Sequence, residues 1–149
     1  MTTDPGQLSP LWTDAYDTGL THVALESLWR AAGLHPKVAV YEGPDLPNDP
    51  GACIVVSWMP GPGYSLEQML DTPAFQVRTL GPQNAPDQAR ILASMLDVTL
   101  TQRTRWPKVL GDTYVVEIRR AGGKPALDRT DSAGRTHYVC TYLADVEAD

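Results

Sequence analysis

The stretch "ACIVVSWM", residues 52–59, predicts a strand that is apolar on both of its faces. Successive side chains of a strand point to opposite sides. One side would carry Ala52, Ile54, Val56 and Trp58, and the other Cys53, Val55, Ser57 and Met59. A strand with a solvated face normally alternates apolar with polar residues. This strand therefore belongs inside a sheet whose two faces are both covered, by the chain's own helices or by another subunit.

Two segments have the 3.6-residue apolar period of amphipathic helices. The first runs from about Thr13 to Ala32 and ends before Gly33, and the second runs from about Ala85 to Thr101. The predicted buried faces are Tyr16, Leu20, Val23, Ala24, Ser27, Leu28 and Ala31 in the first helix, and Ala85, Ala89, Leu92, Ala93, Leu96 and Leu100 in the second. Both helices are expected on one face of the sheet.

Four further strands are predicted by their composition and flanking turn residues: Lys37–Tyr41, Ala74–Leu80, Thr113–Arg120 and Thr136–Val146. The last two would form a hairpin with the long tip "AGGKPALDRTDSAGR". The order α-β-β-β-α-β-β predicts an α/β (α+β) fold with a mixed, largely antiparallel sheet of about five strands packed with two helices. We expect a single domain over residues 1–149, in which residues 1–12 are a flexible N-terminal segment.

The turn "GPQNAPDQA" joins a strand to a helix, which is where nucleotide-binding folds place phosphate. It has one glycine and lacks the repeated glycines of the dinucleotide and P-loop patterns. Its residues suit a helix start instead, with Asn84 as N-cap, Pro86 in the first turn and Asp87 near the positive end of the helix dipole. The turn is therefore predicted to be scaffold.

No motif in the sequence predicts catalysis, a cofactor or a metal site. His22, His35 and His137 lack ligand spacing, and no serine lies in a nucleophile elbow. The two cysteines lack a CxxC spacing and are expected to be free buried thiols. The acidic residues of the hairpin tip lack the ligand pattern of a calcium loop, so a solvated tip is expected. The chain is predicted not to be an enzyme, although a site assembled only in three dimensions stays an alternative.

Charge is distributed unevenly along the chain. The net charge is −6, yet the segment from Arg103 to Arg135 has an excess of four positive charges, which leaves −10 for the rest. The acidic total argues against specific nucleic-acid binding, and the longest apolar run is too short to span a membrane. The basic segment is interpreted either as a solvated sheet edge or as a docking surface for an acidic partner. Its candidate interface residues are Arg119, Arg120, Lys124, Arg129 and Arg135.

A long connection, "MPGPGYSLEQMLDTP", follows the doubly apolar strand. It is too apolar to lie in water, and it either folds back onto its own domain or acts as an arm that orders on a neighbouring subunit. With the end of the preceding strand it supplies the other candidate interface residues, Trp58, Met59, Tyr64, Leu66, Met69 and Leu70.

Several of these pieces, in this order, resemble the tail terminator proteins of long-tailed bacteriophages, also called minor capsid or tail completion proteins. The pieces are "CIVVSWMPGPG", then "PAFQVRTLGP" leading into "APDQARILASMLDVTL", and then "YVVEIRRAGGKPALDRTDSAGRTHYVCTY". The resemblance covers roughly Val38 to Val146. The sequence departs from the family at Asp128, where the family often has a glycine, and in the first helix.

The resemblance implies a structural virion protein that forms a six-membered ring on the head-proximal end of the tail tube. Such a ring stops tail polymerisation and provides the joining surface for the head. Its implied partners are copies of itself, the tail tube protein and the head–tail connector or neck protein, with genome DNA passing through the lumen. It would be made in the host cytoplasm before assembly into the virion. The alternatives are a neck or connector protein on the head side and a small enzyme or ligand-binding domain.

Overall fold

The computed structural model describes residues 20–43, 51–59 and 70–147. Two helices pack on a mixed, largely antiparallel sheet, so the predicted fold class is confirmed. The elements are α1 (His22–Ala31), β1 (Ala39–Glu42), β2 (Cys53–Met59), β3 (Leu70–Asp71), β4 (Ala74–Leu80), α2 (Pro86–Thr101), a 3-10 turn (Arg103–Arg105), β5 (Lys108–Leu110), β6 (Thr113–Arg120), β7 (Ala126–Thr130) and β8 (Thr136–Glu147). Within these ranges, no helix has the length and apolarity that a membrane crossing requires.

Strand β8 is the centre of the sheet, whose order is β1-β2-β4-β8-β6-β5. β8 is twelve residues long, and it pairs with β3 and β4 along one edge and with β6 and β7 along the other. Among the described strand pairs, β1 with β2 is parallel and the others are antiparallel. The predicted hairpin of β6 and β8 is confirmed.

Three short strands, β3, β5 and β7, add to the five that the sequence predicts. β5 and β6 form a tight hairpin closed by Leu110 and Thr113, with Gly111 in the left-handed region at φ 63°. A glycine followed by aspartate suits such a two-residue turn. The predicted long hairpin tip is partly strand, because β7 pairs with the first residues of β8.

Both helices cover the same face of the sheet. Strand register places Val56, Val77 and Cys140 in one row, and these side chains share a core cluster with Leu28 of α1 and Leu96 of α2. We call this the helix face. The opposite, helix-free face carries a smaller buried cluster of Cys53, Val55 and Leu80, against which Tyr41 packs. The doubly apolar character of β2 is therefore confirmed, and both cysteines are buried thiols that form no disulfide, as predicted.

Helix α1 is rotated relative to its predicted buried face. The sequence pattern places Val23, Ser27 and Ala31 inward, but all three are exposed, Val23 to 57%. The helix instead buries Leu25 and Trp29 completely, together with the correctly predicted Ala24 and Leu28. Leu20, which precedes the helix, is also buried as predicted. The indole Nε1 of Trp29 donates a hydrogen bond to the carbonyl oxygen of Leu96 at 3.4 Å. Tyr16 lies outside the described residues.

Helix α2 follows its predicted phase. Ala89, Ala93, Leu96 and Leu100 are buried, while Leu92 is half-buried against the core. Its predicted N-cap is wrong. Ala85 occupies that position without a side-chain bond, Pro86 is the first helical residue as predicted, and Asn84 takes a left-handed conformation at φ 57°.

The glycine of this turn has a packing role. A Cβ at Gly81 would lie 2.5 Å from the Cβ of Ala89, so glycine allows the strand to pass close to the first turn of α2. The turn also contacts the β7–β8 hairpin, because the amide of Asn84 donates to the carbonyl of Gly134 at 2.9 Å. These contacts fit the predicted role of the turn as scaffold.

Candidate interaction surfaces

The apolar arm falls largely outside the part of the chain that the structure describes. Tyr64, Leu66 and Met69 are not among the described residues, and only the backbone of Leu70 is described, in β3. At the end of β2, Trp58 lies on the helix face, with its ring 5.2 Å from that of Phe75. Met59 lies on the helix-free face and is 41% exposed. The arm therefore stays a prediction, and Trp58 is part of the core rather than a free surface group.

Arg119 and Arg120, which the sequence analysis groups together, point to opposite faces of the sheet. Arg119 pairs in register with Leu143, and its guanidinium binds Asp145 on the helix-free face. Arg120 pairs in register with Tyr142 and binds Asp97 of α2 on the helix face. The two side chains therefore cannot act on one partner surface.

On the helix face, Arg120, Asp97 and Tyr142 form what we call the α2 network. The Nε of Arg120 donates to Oδ1 of Asp97 at 2.9 Å, and its Nη2 donates to Oδ2. The hydroxyl of Tyr142 donates to the same Oδ1 at 2.8 Å. Asp97 is 4% exposed and Tyr142 is 1% exposed, so this carboxylate is removed from water but fully paired. The network ties α2 to β6 and β8.

The α2 network also shifts the pKa values of Arg120 and Tyr142. The hydrogen bond from Arg120 to Asp97 raises the pKa of the guanidinium above its ordinary value, which keeps it charged. Burial, with the nearby Cys140 and Asp97, raises the pKa of Tyr142, which keeps the phenol neutral and able to donate. Burial likewise raises the pKa of the Cys140 thiol, so it is not a nucleophile at neutral pH.

At the β7–β8 turn, Asp131 organises a second set of contacts that we call the hairpin network. Its Oδ1 accepts the backbone N–H groups of Ala133 and Arg135, both at 3.0 Å. Its Oδ2 accepts from Nε of Arg135 at 3.0 Å and contacts Nε2 of His137 at 2.8 Å. Asp131 thus stabilises the turn. The sequence predicts a solvated tip at this position, and the structure differs because Asp131 is bound by its neighbours.

The hairpin network continues onto the helix-free face through Arg78 of β4. Its Nη1 lies 3.1 Å from Nδ1 of His137 and 2.6 Å from Oδ2 of Asp128. A guanidinium only donates, so Nδ1 of His137 is an acceptor and Nε2–H donates to Asp131. His137 is completely buried, whereas Asp128 is exposed.

Both carboxylates of the hairpin network have lowered pKa values. The hydrogen bond from Arg78 is the main cause for Asp128. For Asp131, partial burial raises the pKa. The hydrogen bonds from His137 and from the backbone and side chain of Arg135 lower it by more, so the pKa of Asp131 lies well below its ordinary range. Both groups are therefore charged at neutral pH.

Some cations of the basic segment are exposed and have no ion pair with a described residue, so they are accessible to a partner. Arg135 is only 6% exposed and is held by Asp131, so it is not part of an exposed patch. Lys124 and Arg129 are exposed and form no ion pair with any described residue. The same holds for Arg103 and Lys108, which sequence analysis did not single out.

An open groove of about 720 Å³ runs between β6 and the end of α2. Thr101, Arg103 and Trp106 line one wall, and the other wall is the part of β6 from Val116 to Arg120, with Gly122 beyond it. The indole of Trp106 is held in place by a bond from Nε1 to the carbonyl of Leu100 at 2.8 Å. No motif predicts this groove from the sequence, because its two walls come from segments of the chain that are separate in sequence.

Exposed apolar side chains lie on several of the described strands and on α2. Val109 of β5 is 60% exposed and Tyr114 of β6 is 41% exposed, and they are paired in register. Leu127 of β7 is 63% exposed. Two more, Ile91 and Val98, lie on the outer side of α2. Scattered exposed apolar residues are common, but here several adjoin an edge strand.

Among the described residues, no group of three or more histidine, cysteine, aspartate or glutamate side chains could hold a metal ion. His22 lies 3.5 Å from Glu42 as an isolated surface pair, and buried His137 offers no access to a substrate. The groove beside β6 has no histidine, cysteine or serine in its lining. The described residues thus bring together no catalytic constellation.

No family model matches the chain, and no curated protein matches it. Among solved structures, a chain from the virion of a native gene transfer agent particle has a similar fold, with a TM-score of 0.60. The two sequences are 17% identical, and the match covers 89% of this chain and 99% of that one. A likeness at this identity shows a shared fold.

Proposed function

We propose that this chain is a structural virion protein, and specifically a tail terminator. The observation that carries the proposal is the likeness to a chain of a gene transfer agent virion, which spans nearly the whole length of both chains. The resemblance of the sequence to tail terminators supports the same conclusion independently of the fold. In this role the subunits close into a six-membered ring on the head-proximal end of the tail tube, stop its growth and bind the head–tail connector.

The physical features of the described residues suit this role. Free cations, exposed apolar side chains and open sheet edges lie on one molecule, and such surfaces suit heterologous contacts, which close into a ring when the rotation between copies permits. Function as an enzyme has no corresponding support, because the lining of the open groove contains one carboxylate, Glu117, and no histidine, cysteine or serine to pair with it.

The direct test is capping of purified tail tubes by the purified protein. Electron microscopy should show a ring on one end of each tube, and light scattering should give the mass of six copies. A monomer that never binds tubes contradicts the proposal. Rings that bind isolated connectors but not tubes would instead place the protein on the head side of the neck.

The basic hairpin gives a sharper test of how the ring finds its partner. The double substitution Lys124→Glu and Arg129→Glu removes two exposed cations that form no ion pair with any described residue, so it should slow capping and reduce its salt dependence with little loss of stability. The matched control is Lys37→Glu with Arg90→Glu, an equal charge change elsewhere on the surface. Equal capping rates for the two double variants at low salt would show that the hairpin does not face the tube.

A further inference from the structure

Strand β6 has an open edge beside the groove. β5 pairs only with Thr113–Val115 of β6, and no described strand pairs with the residues that follow on that side. On the other side of β6, Ala121 donates its amide to the carbonyl of Thr141 in β8. Backbone groups of successive residues point alternately to the two neighbouring strands. The N–H and C=O groups of Ile118 and Arg120 therefore point away from β8 and into the groove.

Strand β1 forms the opposite end of the sheet and has an open edge of its own. Its only partner among the described strands is β2. The amide of Gly43, just after β1, donates to the carbonyl of Val56 in β2. By the same alternation, Val40 and Glu42 direct their backbone groups outward. Among the described strands, the sheet thus has one unpaired edge at each end, and the two edges differ in sequence.

An exposed cation lies beside one edge and an exposed carboxylate at the other. Beside β6, the groove wall includes Arg103, which is exposed and has no ion pair with any described residue. The other charged side chains of that wall are paired, Arg119 with Glu117 and Asp145, and Arg120 with Asp97. At the end of β1, the side chain of Glu42 is 53% exposed, and its ion-pair neighbour among the described residues is the imidazole of His22, with Nδ1 at 3.5 Å. An unpaired strand edge is a template for another strand, and opposite charges fix which edge it accepts.

We propose that the β1 edge of a second copy pairs with the β6 edge of the first, from Ile118 to Arg120, so that the sheet continues from one subunit into the next. Glu42 of the incoming strand then meets Arg103 on the groove wall. The contact joins two different surfaces and therefore propagates head to tail, which closes a ring when the rotation between copies permits. This inference rests on the proposed ring and names the surface through which it closes.

Amide hydrogen exchange gives the first test. In the monomer, the amides of Ile118 and Arg120 should exchange faster than those of Glu117 and Arg119, which face β8. In the assembled ring, Ile118 and Arg120 should become protected by at least about tenfold, whereas the other two should change little. Unchanged exchange at Ile118 and Arg120 on assembly would overturn the inference, because strand pairing cannot occur without protecting them.

A charge exchange between the edges gives the second test. Arg103→Glu and Glu42→Arg should each raise the concentration needed for half-assembly by about tenfold, while Arg90→Glu on the exposed side of α2 should not. Mixing the two single variants should restore assembly, because in an alternating ring every contact again joins opposite charges. A mixture that assembles no better than either variant alone overturns the pairing of these edges.

The two proposals fail in different ways. A wild-type chain that stays monomeric at every concentration, alone or with tail tubes, overturns both the ring and this contact. Wild-type rings whose amides at Ile118 and Arg120 exchange freely, and whose variants assemble normally, leave the terminator role intact and overturn only the sheet continuation.

Discussion

The two faces of the sheet hold their charged residues for different purposes. On the helix face, the α2 network removes Asp97 from water and joins α2 to β6 and β8. On the helix-free face, the hairpin network stabilises a turn, and Arg119 binds Asp145 at the surface. Basic residues of one sequence segment are thus divided between buried positions that stabilise the fold and exposed positions at the surface. Successive side chains of a strand alternate between the two faces of the sheet. This alternation, more than the local density of charge in the sequence, decides which cations a partner can reach.

The largest expected difference between the faces is in side-chain truncation. Leu96→Ala removes a side chain that is 1% exposed under α2, so it should lower the free energy of unfolding by about 2 to 5 kcal/mol. Leu143→Ala, the same change at a half-buried site on the helix-free face, should lower it by about 1 kcal/mol. Urea denaturation of both variants measures this. Equal losses would show that the helix-free face is packed as tightly as the helix face.

The next effect concerns the adjacent arginines. Arg120→Glu places a second carboxylate against buried Asp97 and should cost on the order of 3 kcal/mol, because breaking a buried pair leaves an uncompensated charge. Arg119→Glu should cost less than about 1 kcal/mol, since its pair lies at the surface. A double substitution of both arginines is therefore unsuitable as a probe of docking, contrary to what their adjacency suggests. Comparable thermal unfolding of the two variants would contradict the assignment of Arg120 to the interior.

A smaller effect is expected at the hairpin, and it depends on pH. The pKa of Asp131 is lower in the folded chain than its unfolded value of about 4, so Asp131 stabilises the fold above that value and stops doing so as pH falls below it. Asp131→Asn should be less stable than wild type at neutral pH, and the difference should shrink below about pH 4. Chemical denaturation across this range measures it. A difference that is the same at neutral and acid pH would mean that the charge of Asp131 contributes nothing.

Much of the fold follows from local pattern. The period of α2 gives its buried face correctly, since each turn repeats an alanine or leucine. Helix α1 has two apolar faces in its sequence. The face with Leu25 and Trp29 is the buried one, because the indole of Trp29 donates to the carbonyl of Leu96 on the other helix. Strand β7 has no apolar alternation and all five residues are exposed, so its sequence resembles a loop. The turn of Gly111 and Asp112 was a local signal for β5 that the sequence analysis missed.

The candidate surfaces depend on contacts that no local pattern encodes. Arg120 meets Asp97 across 23 residues, and Arg78 meets Asp128 across 50, so neither pair has a spacing that predicts it. The groove beside β6 likewise requires the end of α2 as its second wall. Sequence composition correctly indicates a basic region, but only the fold separates its free cations from its paired ones.

The central position of β8 also sets the order of events during protein synthesis. β8 lies between β4 and β6 and joins them into one sheet. It is also the last described strand to leave the ribosome. A nascent chain can therefore form the β1–β2–β4 half, but β6 has no partner other than β5 until residues 136–147 have emerged. A subunit that is still being translated thus lacks a fixed β6 edge. In the proposed sheet continuation, a chain that lacks β8 therefore offers no fixed β6 edge to a second copy.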